Sequence, residues 1–277
     1  MEVTLIYLSQ SGNTRTVAET MATALRDAGH GARTVALEVA TPRDATAGEL
    51  VGVGCPCLAS QAPTPVKTFL RTLPPLDGRR AFVFATSGAA PGRVLADLSA
   101  ALRGKGAEVV GGFLARGQDH HPAPYLNGLS PGRPDADDLA AARRFAAAVG
   151  EHVATGRSGP LAESRADAFA PTERFYDLVA RLSSDAVLRV VEPEPRLDAS
   201  RCDQCGWCAR ACPMDNIALE PYPLLGGHCI RCYRCLSGCP KEALDASWRF
   251  ADPVIRLIYN RAFLRWFGDL RPGERLR

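Results

Sequence analysis

The chain has 277 residues, 46% of them hydrophobic and 23% charged, with a net charge of +3. So small a basic excess gives no electrostatic case for nucleic acid, and no uninterrupted apolar run approaches the roughly 20 residues that span a bilayer. The opening MEVTLIYLSQSGNTR lacks a basic region before its apolar run and a small-residue cleavage pattern after it, so the expectation is a cytoplasmic chain without a signal peptide, in which cysteines stay reduced and tend to ligate metal.

VTLIYLS, residues 3–9, is short, apolar and rich in branched and aromatic residues, as a buried parallel strand would be. After SQSGNTR, residues 16–29 place Val17, Met21, Ala24, Leu25 and Ala28 at helical spacing, with Gly29 as the C-cap. Further strands are expected at RTVALEV (33–39), ELVGVGCP (49–56), RRAFVFATSG (79–88) and AEVVGGFLARG (107–117). Helices are expected at VKTFLRTL (66–73), VLADLSAALRGKG (94–106) and the aspartate-opened DADDLAAARRFAAAVGEHVA (135–154). Alternating strands and helices imply βαβ units. Five strands in about 155 residues suit an α/β flavodoxin-like doubly wound parallel sheet better than the longer dinucleotide fold.

In such a sheet ligands sit beyond the carboxyl ends of the strands. Ser9, Gln10, Ser11, Gly12, Asn13 and Thr14 lie there, between the first strand and the first helix. They offer hydroxyls, amides, a glycine for close approach and the N–H groups of a starting helix, which together can hold a phosphate; the plainer reading is a helix N-cap with polar neighbours. The loops Gly54–Ser60 and Thr86–Gly92 project at the same edge and could sandwich a flat ring. With GCPCLASQAPTPVKTFL and FATSGAAPGRVLADL, and a first loop of the form [ST]-x-[ST]-G-N-T, residues 1–155 resemble flavodoxins. The resemblance implies FMN, its phosphate on Ser9, Ser11, Gly12, Asn13 and Thr14, with Gln10 in the same loop. It places the isoalloxazine against Pro56, Cys57, Leu58 and Ala59 on one side and Thr86, Ser87, Gly88, Ala89 and Ala90 on the other. This chain departs from the flavodoxin pattern in two ways: the ring loops carry no aromatic residue, and Cys55–Ser60 holds no glycine. The ring site would then be more open to a substrate, or the flavin would cycle between its oxidised and fully reduced forms.

Cys55 and Cys57 read as a redox pair, as flavin-contacting thiols, or as small buried hydrophobes. His120 and His121, after the fifth strand, could protonate a substrate, bind a metal, or belong to a surface connection. Residues 156–196 connect the halves: TGRSGPLAESRADAFAP is flexible in composition, and PTERFYDLVARL is an amphipathic docking helix with Phe175, Leu178, Val179 and Leu182 on one face.

Cys202, Cys205, Cys208 and Cys212, then Pro213, form C-x2-C-x2-C-x3-C-P. Each cysteine has a counterpart 27 positions on: Cys229, Cys232, Cys235 and Cys239, then Pro240. ACPMDNIAL from Ala211 lines up with GCPKEALDA from Gly238, so the segment is an internal duplication. Three thiolates two residues apart can wrap one iron–sulfur cubane, with loop amides aimed at its sulfurs. Zinc usually takes two separated pairs, and disulfides need an oxidising compartment. Residues 197–246 resemble bacterial-type two-[4Fe–4S] ferredoxins, a small α+β domain. In these the fourth cysteine of each run ligates the other cluster. The resemblance implies one cluster on Cys202, Cys205, Cys208 and Cys239, and another on Cys229, Cys232, Cys235 and Cys212. The whole chain resembles fused flavodoxin–ferredoxin proteins: an FMN domain (1–155), a linker (156–196), a 2[4Fe–4S] ferredoxin-like domain (197–246) and a tail (247–277).

From Val254 on, six arginines stand against Asp269 and Glu274, with Ile255, Ile258, Phe263, Trp266 and Phe267 at roughly helical intervals. A basic amphipathic helix can lie on a membrane surface, bind an acidic partner, or fold back on its own domain. No G-x-G-x-x-G follows a strand, so a dedicated NAD(P)H domain is not expected. The functional expectation is an electron carrier linking FMN and two [4Fe–4S] clusters and serving redox partner proteins. The alternative is a flavin-dependent reductase of a small organic substrate, fed through the clusters.

Overall fold

A computed structural model describes residues 1–88, 91–161, 178 and 180–258. The chain forms two units, Met1–Gln118 with Ser130–Ala180, and Asp119–Leu129 with Arg181–Arg277.

The first unit runs β1 (Glu2–Tyr7), α1 (Asn13–Asp27), β2 (Gly31–Ala36), a 3-10 turn (Pro42–Ala45), β3 (Leu50–Pro56), α2 (Thr64–Thr72), β4 (Arg80–Ser87), α3 (Val94–Gly104), β5 (Glu108–Arg116) and α4 (Ala136–Ala154). Its strands are parallel, in the order β2-β1-β3-β4-β5. This is the flavodoxin-like doubly wound order expected from the sequence, with the switch point between β1 and β3. Alternation along each strand feeds two cores. Val51, Val53 and Cys55 of β3 and Val83 and Ala85 of β4 face Val66 and Leu70 of α2 and Leu95, Leu98 and Leu102 of α3. Val3, Leu5, Phe82, Phe84 and Val110 face Val17, Met21 and Leu25 of α1 and Ala142, Ala146 and Val149 of α4. Full burial of one such large side chain is worth about 1.5–3 kcal/mol.

On the second face β3 presents Gly52 and Gly54, paired in register with Phe82 and Phe84. The phenyl rings lie over these glycines, where a Cβ would otherwise stand. Strand β1 ends at Tyr7 and α1 begins at Asn13, earlier than the apolar spacing predicts. Gly12, at φ 101°, makes the turn, so Asn13 and Thr14 form the first turn of the helix rather than a loop before it. Helix α4 starts on a capping box: the Asp135 carboxylate accepts from the N–H groups of Asp137 and Asp138, and Asp138 accepts from the N–H of Asp135.

The second unit contains α5 (Asp185–Val191), β6 (Arg196–Leu197), α6 (Trp207–Ala211), β7 (Ile217–Leu219), β8 (Pro223–Leu225), α7 (Arg234–Ser237), β9 (Leu244–Asp245) and α8 (Ala251–Ile258). The duplication is visible in space. The starts of β6 and β8, of α6 and α7, and of β7 and β9 are each 27 positions apart. β6 pairs with β9 and β7 with β8, both antiparallel, so each small sheet takes one strand from each half. Segment Asp119–Leu129 belongs to this unit: Asp119 N–H donates to Leu129 O, and Tyr125 N–H to the Asp252 carboxylate.

Most of the helix expected over 171–182 lies outside the described residues, Phe175 and Val179 included; Leu178 and Leu182 are 52% and 59% exposed. Of the expected tail helix only the start is described, as α8; Phe263, Trp266 and Phe267 lie outside the described residues.

Candidate cofactor sites

The first site lies at the carboxyl edge of β1, β3 and β4. Thr14 and Thr86 are buried and bring their hydroxyls within 2.8 Å of each other, joining the first turn of α1 to the end of β4. The Ser9 hydroxyl accepts from the N–H groups of Gly12 and Arg15, both at 3.2 Å, and so caps α1. No acidic residue stands in the first turn of α1, which leaves the positive end of its dipole for an external anion. An added Cβ at Gly12 would meet nothing within 4 Å; the left-handed φ of 101° is what favours glycine there. Ser11 is exposed, and Asn13 Nδ2 donates to Gln118 O at 2.9 Å. The Gln10 amide nitrogen is buried with no protein acceptor. That orphaned donor, the open side of Gly12 and the acid-free helix start fit a phosphate-bearing ligand.

The ring loops are tied to one another. Cys57 N–H donates to Thr86 O at 2.8 Å, and Leu58 and Gln61 exchange backbone bonds of 3.0 Å. Between the latter, Ala59 and Ser60 both adopt left-handed backbone, φ 47° and 66°. This is a tight turn without glycine, costing about 1–2 kcal/mol per residue. It is held from the β4 side, where Arg93 N–H donates to Ser60 O at 2.7 Å. Gly92, at φ 53°, lets the two backbones approach: a Cβ there would stand 2.0 Å from Ser60 O. The Cys57 thiol donates to Pro91 O at 3.3 Å, and Ser130 Oγ donates to Gly88 O at 2.7 Å. Pro56, Cys57, Leu58, Ala59 and Gly88 are half-buried, and Thr86 and Ser87 buried; Ala89 and Ala90 lie outside the described residues. Cys55 is fully buried in the α2–α3 core; burial first, then the charges of Cys57 and Asp97, push its thiol well up. It stays protonated and packs as a small hydrophobe. Burial likewise raises the Asp97 carboxyl, against the Ala62 N–H and Arg93 that hold it.

In the second unit, Cys212, Cys229, Cys232 and Cys235 line one pocket, floored by Pro213, Ile230 and Tyr233. Three thiols accept backbone N–H bonds: Cys212 from Asn216 at 3.4 Å, Cys239 from Ala243 at 3.3 Å and Cys229 from Arg231 at 3.4 Å. The Cys235 thiol is pushed up to about 12, by burial and then by Cys232, Cys229, Cys212 and Cys208. The Cys208 thiol is raised by burial, against the N–H groups of Ala209 and Cys208, and further by Cys202 and Cys239. Cys208 and Cys212 of the first run thus lie within electrostatic reach of the second, and Cys239 within reach of the first. Among the described residues no three His, Cys, Asp or Glu side chains converge as a group for one metal ion. Four thiols lining one pocket are the donor chemistry of an iron–sulfur cluster.

His121 is also in this unit. Its ring meets Tyr233 and Trp248 edge-on at 5.0 and 5.1 Å, and Nε2 lies 3.6 Å from Glu192. The carbonyl of His120 accepts from Ser237 Oγ at 3.1 Å. Glu192, Tyr233 and Trp248 carried no sequence signal of this role; they are 41 and 15 positions apart along the chain, and only the fold brings them to His121.

The sheet order and the loops at its carboxyl edge define an α/β domain with the flavodoxin-like fold. Residues 4–113 match the flavodoxin domain family, and residues 195–218 the 4Fe–4S binding domain family. The chain has a fused flavodoxin–ferredoxin architecture. Among solved structures it is similar to a flavodoxin from the domain Archaea, at 19% identity and TM-score 0.46, over 56% of this chain and 99% of that one. It is also similar to the two-electron-reduced flavodoxin of Megasphaera elsdenii, at 23% and 0.40, over 52% and 98%. A third is oxidised flavodoxin 1 of Bacillus cereus, at 19% and 0.42, over 53% and 95%. No curated protein matches the chain. A flavodoxin domain implies FMN and a 4Fe–4S domain implies a [4Fe–4S] cluster, and the two together support an electron-transfer role. Among the described residues no helix is long and apolar enough to cross a membrane.

Proposed function

We propose that the chain relays electrons within itself, between FMN held by the first unit and two [4Fe–4S] clusters held by the second. The observation that carries this reading is the repetition of backbone geometry at the 27-residue offset. Gln204 and Arg231 have φ of 59° and 54°, Gly206 and Tyr233 69° and 53°, Asp215 and Glu242 47° and 46°. The N–H groups of Asn216 and Ala243 meet the sulfurs of Cys212 and Cys239 alike. A loop that repeats its left-handed positions and its N–H to sulfur bonds supports two like centres. Cys202, Cys205, Cys208 and Cys239 would hold one. Cys229, Cys232, Cys235 and Cys212, which share a pocket, would hold the other.

In the first unit Ser9, Ser11, Gly12, Asn13 and Thr14 would hold the phosphate, with the Gln10 amide as a further donor. Pro56–Ala59 and Thr86–Ala90 would confine the ring, and the Ser60–Arg93 bond keeps these walls together. FMN, when bound, accepts an electron pair and releases it singly, which matches a two-electron reaction to one-electron centres. Joining the units in one chain raises the effective concentration of each for the other. His121, the residue a reductase could have used as an acid, is committed to Tyr233, Trp248 and Glu192 inside the iron–sulfur unit, which favours the carrier over the reductase. Thiolate ligation would favour a reducing compartment such as the cytoplasm.

Anaerobic reconstitution tests this. The expected result is eight irons and one FMN per chain, with Cys202→Ala and Cys239→Ala removing the same EPR centre and leaving the other. Four irons, or no flavin, would end the relay; Cys239→Ala removing the centre that Cys229→Ala removes would end the crossed ligation.

A further inference from the structure

The two halves match in backbone and differ in charge. Where the first run has Asp203 and Gln204, the second has Ile230 and Arg231. The Arg231 side chain is only 6% exposed, inside the loop whose N–H donates to Cys229 Sγ. Its terminal nitrogens reach Glu194 and the Arg189 carbonyl, both at 3.4 Å, and its Nε is buried with no protein partner. A second guanidinium, that of Arg189, donates to Cys229 O at 3.3 Å, but Arg210 donates likewise to Cys205 O at 2.9 Å in the first run, so the difference rests on Arg231. Two carboxylates oppose this charge. Glu194 is largely in water, its side chain 59% exposed, and is screened. Glu192 has His121 3.6 Å away. At the matching place in the first run there is a neutral Gln204, next to Asp203, whose carboxylate accepts the Cys205 N–H at 3.2 Å and has Lys241 only at 3.8 Å.

One-electron reduction of a [4Fe–4S] centre adds one negative charge and breaks no bond; the electron comes from reduced FMN or from a reduced partner. A buried cation beside the centre stabilises the reduced form, and a carboxylate destabilises it. We propose that Arg231 makes the centre on Cys212, Cys229, Cys232 and Cys235 the higher-potential of the two, the one on which an electron comes to rest. The inference builds on the two-centre reading above.

The test is EPR-monitored potentiometric titration of the full chain, reconstituted anaerobically, after its iron has been counted. Four irons would overturn the two-centre reading itself. With eight, the wild-type chain should show two one-electron waves. Arg231→Gln, which installs the residue of the first run, should weaken reduction at the higher wave about tenfold, or 59 mV for a one-electron couple, and leave the lower wave in place. Arg231→Lys should keep the higher wave near its wild-type position. Gln204→Arg should raise the lower wave. An Arg231→Gln chain with eight irons and unmoved waves, or with only the lower wave displaced, overturns the proposal. Should Arg231→Gln fail to hold its iron, Gln204→Arg decides, and an unmoved lower wave then counts against it.

Discussion

Replacing Gly54 with alanine should damage both the stability of the first unit and its hold on FMN. The new methyl would stand 2.1, 2.3 and 2.4 Å from three carbons of the Phe84 ring, where ordinary contact begins at 3.4 Å. The ring is fully buried and leans on Phe82 at 6.2 Å, so it cannot retreat an ångström without moving a second ring. Overpacking of this kind costs about 1–3 kcal/mol. The entropy gained by removing a glycine returns roughly 0.4–1 kcal/mol, leaving a net loss of about 0–2.6 kcal/mol, centred on ~1.3 kcal/mol. Gly54 O also accepts from Leu8 N–H at 3.0 Å, and Pro56 lies two residues on, so the strain reaches both the phosphate loop and the ring loop. A loss of about 1.4 kcal/mol at the site weakens FMN about tenfold. Phe84→Leu removes the obstructing ring edge, and Gly54→Ala/Phe84→Leu should cost at least ~1 kcal/mol less than the sum of the single variants, because the residues are in contact. Flavin fluorescence serves for both assays, quenched on titration and released on melting. Wild-type melting and FMN affinity in Gly54→Ala, or strict additivity in the double variant, would refute the account of these glycines.

Gly92→Ala drives a methyl to 2.0 Å from Ser60 O and strains a φ of 53°; FMN affinity should fall at least tenfold by fluorescence titration, with unchanged affinity the contrary result. Iodoacetamide on the native, cluster-loaded chain should modify half-buried Cys57 and spare Cys55, whose thiol is buried and protonated; peptide mapping that finds the two equally labelled contradicts this. Asp44 is held down to about 2 by the Thr41 N–H first, then by the side chains of Arg33 and Thr41. A depressed carboxyl stabilises the fold above its unfolded value, and that stabilisation fades as pH falls through about 2. Asp44→Asn should therefore cost about 1 kcal/mol at neutral pH, after allowance for solvent screening, and almost nothing at pH 2; melts followed by circular dichroism that differ equally at both pH values would count against it. Gly238→Ala puts a methyl 1.9 Å from the Trp207 ring and should lower the iron retained after gel filtration; full retention would show that the ring can move.

The sheet was legible because each strand is a short apolar run and each helix keeps its spacing, and five strands in that length suit the flavodoxin-like order, which is the β2-β1-β3-β4-β5 observed. The duplicated cysteines were legible for a similar reason, since a ligand loop writes its spacing into the chain. What escaped is contact between distant positions. Thr14 and Thr86 share a hydrogen bond across 72 positions, and nothing local marks either as the other's partner. The turn at Ala59 and Ser60 lacks the glycine or asparagine that usually signals left-handed backbone, because the Arg93 bond holds it from outside. The glycines of β3 are obvious in the sequence; that Phe82 and Phe84 occupy their missing side chains is a property of the register. His121 belongs to a loop of proline and glycine composition, and its place beside Tyr233 and Trp248 is set by tertiary packing alone.

The duplication is kept and broken in physically different places. It is kept in the backbone between the cysteines, where a reversed dihedral would turn an N–H away from sulfur. Matching left-handed residues therefore recur even where the second copy must force Arg231 and Tyr233 into a conformation that the first copy gives to Gln204 and glycine. It is broken in the side chains that leave the loop. Gly238 stands where the first half has Ala211, and Trp207, which matches Arg234, fills the space that glycine vacates. Tyr233, which matches Gly206, is buried against His121 and Trp248. On the proposed two-centre reading, symmetric ligation with asymmetric surroundings would separate two otherwise equal centres in energy. Thiolate geometry determines that an iron–sulfur centre forms, while burial and neighbouring charge determine how strongly it holds an electron. Under the proposed relay that second difference decides where an electron comes to rest, and the residues that would supply it are those where the repeat fails.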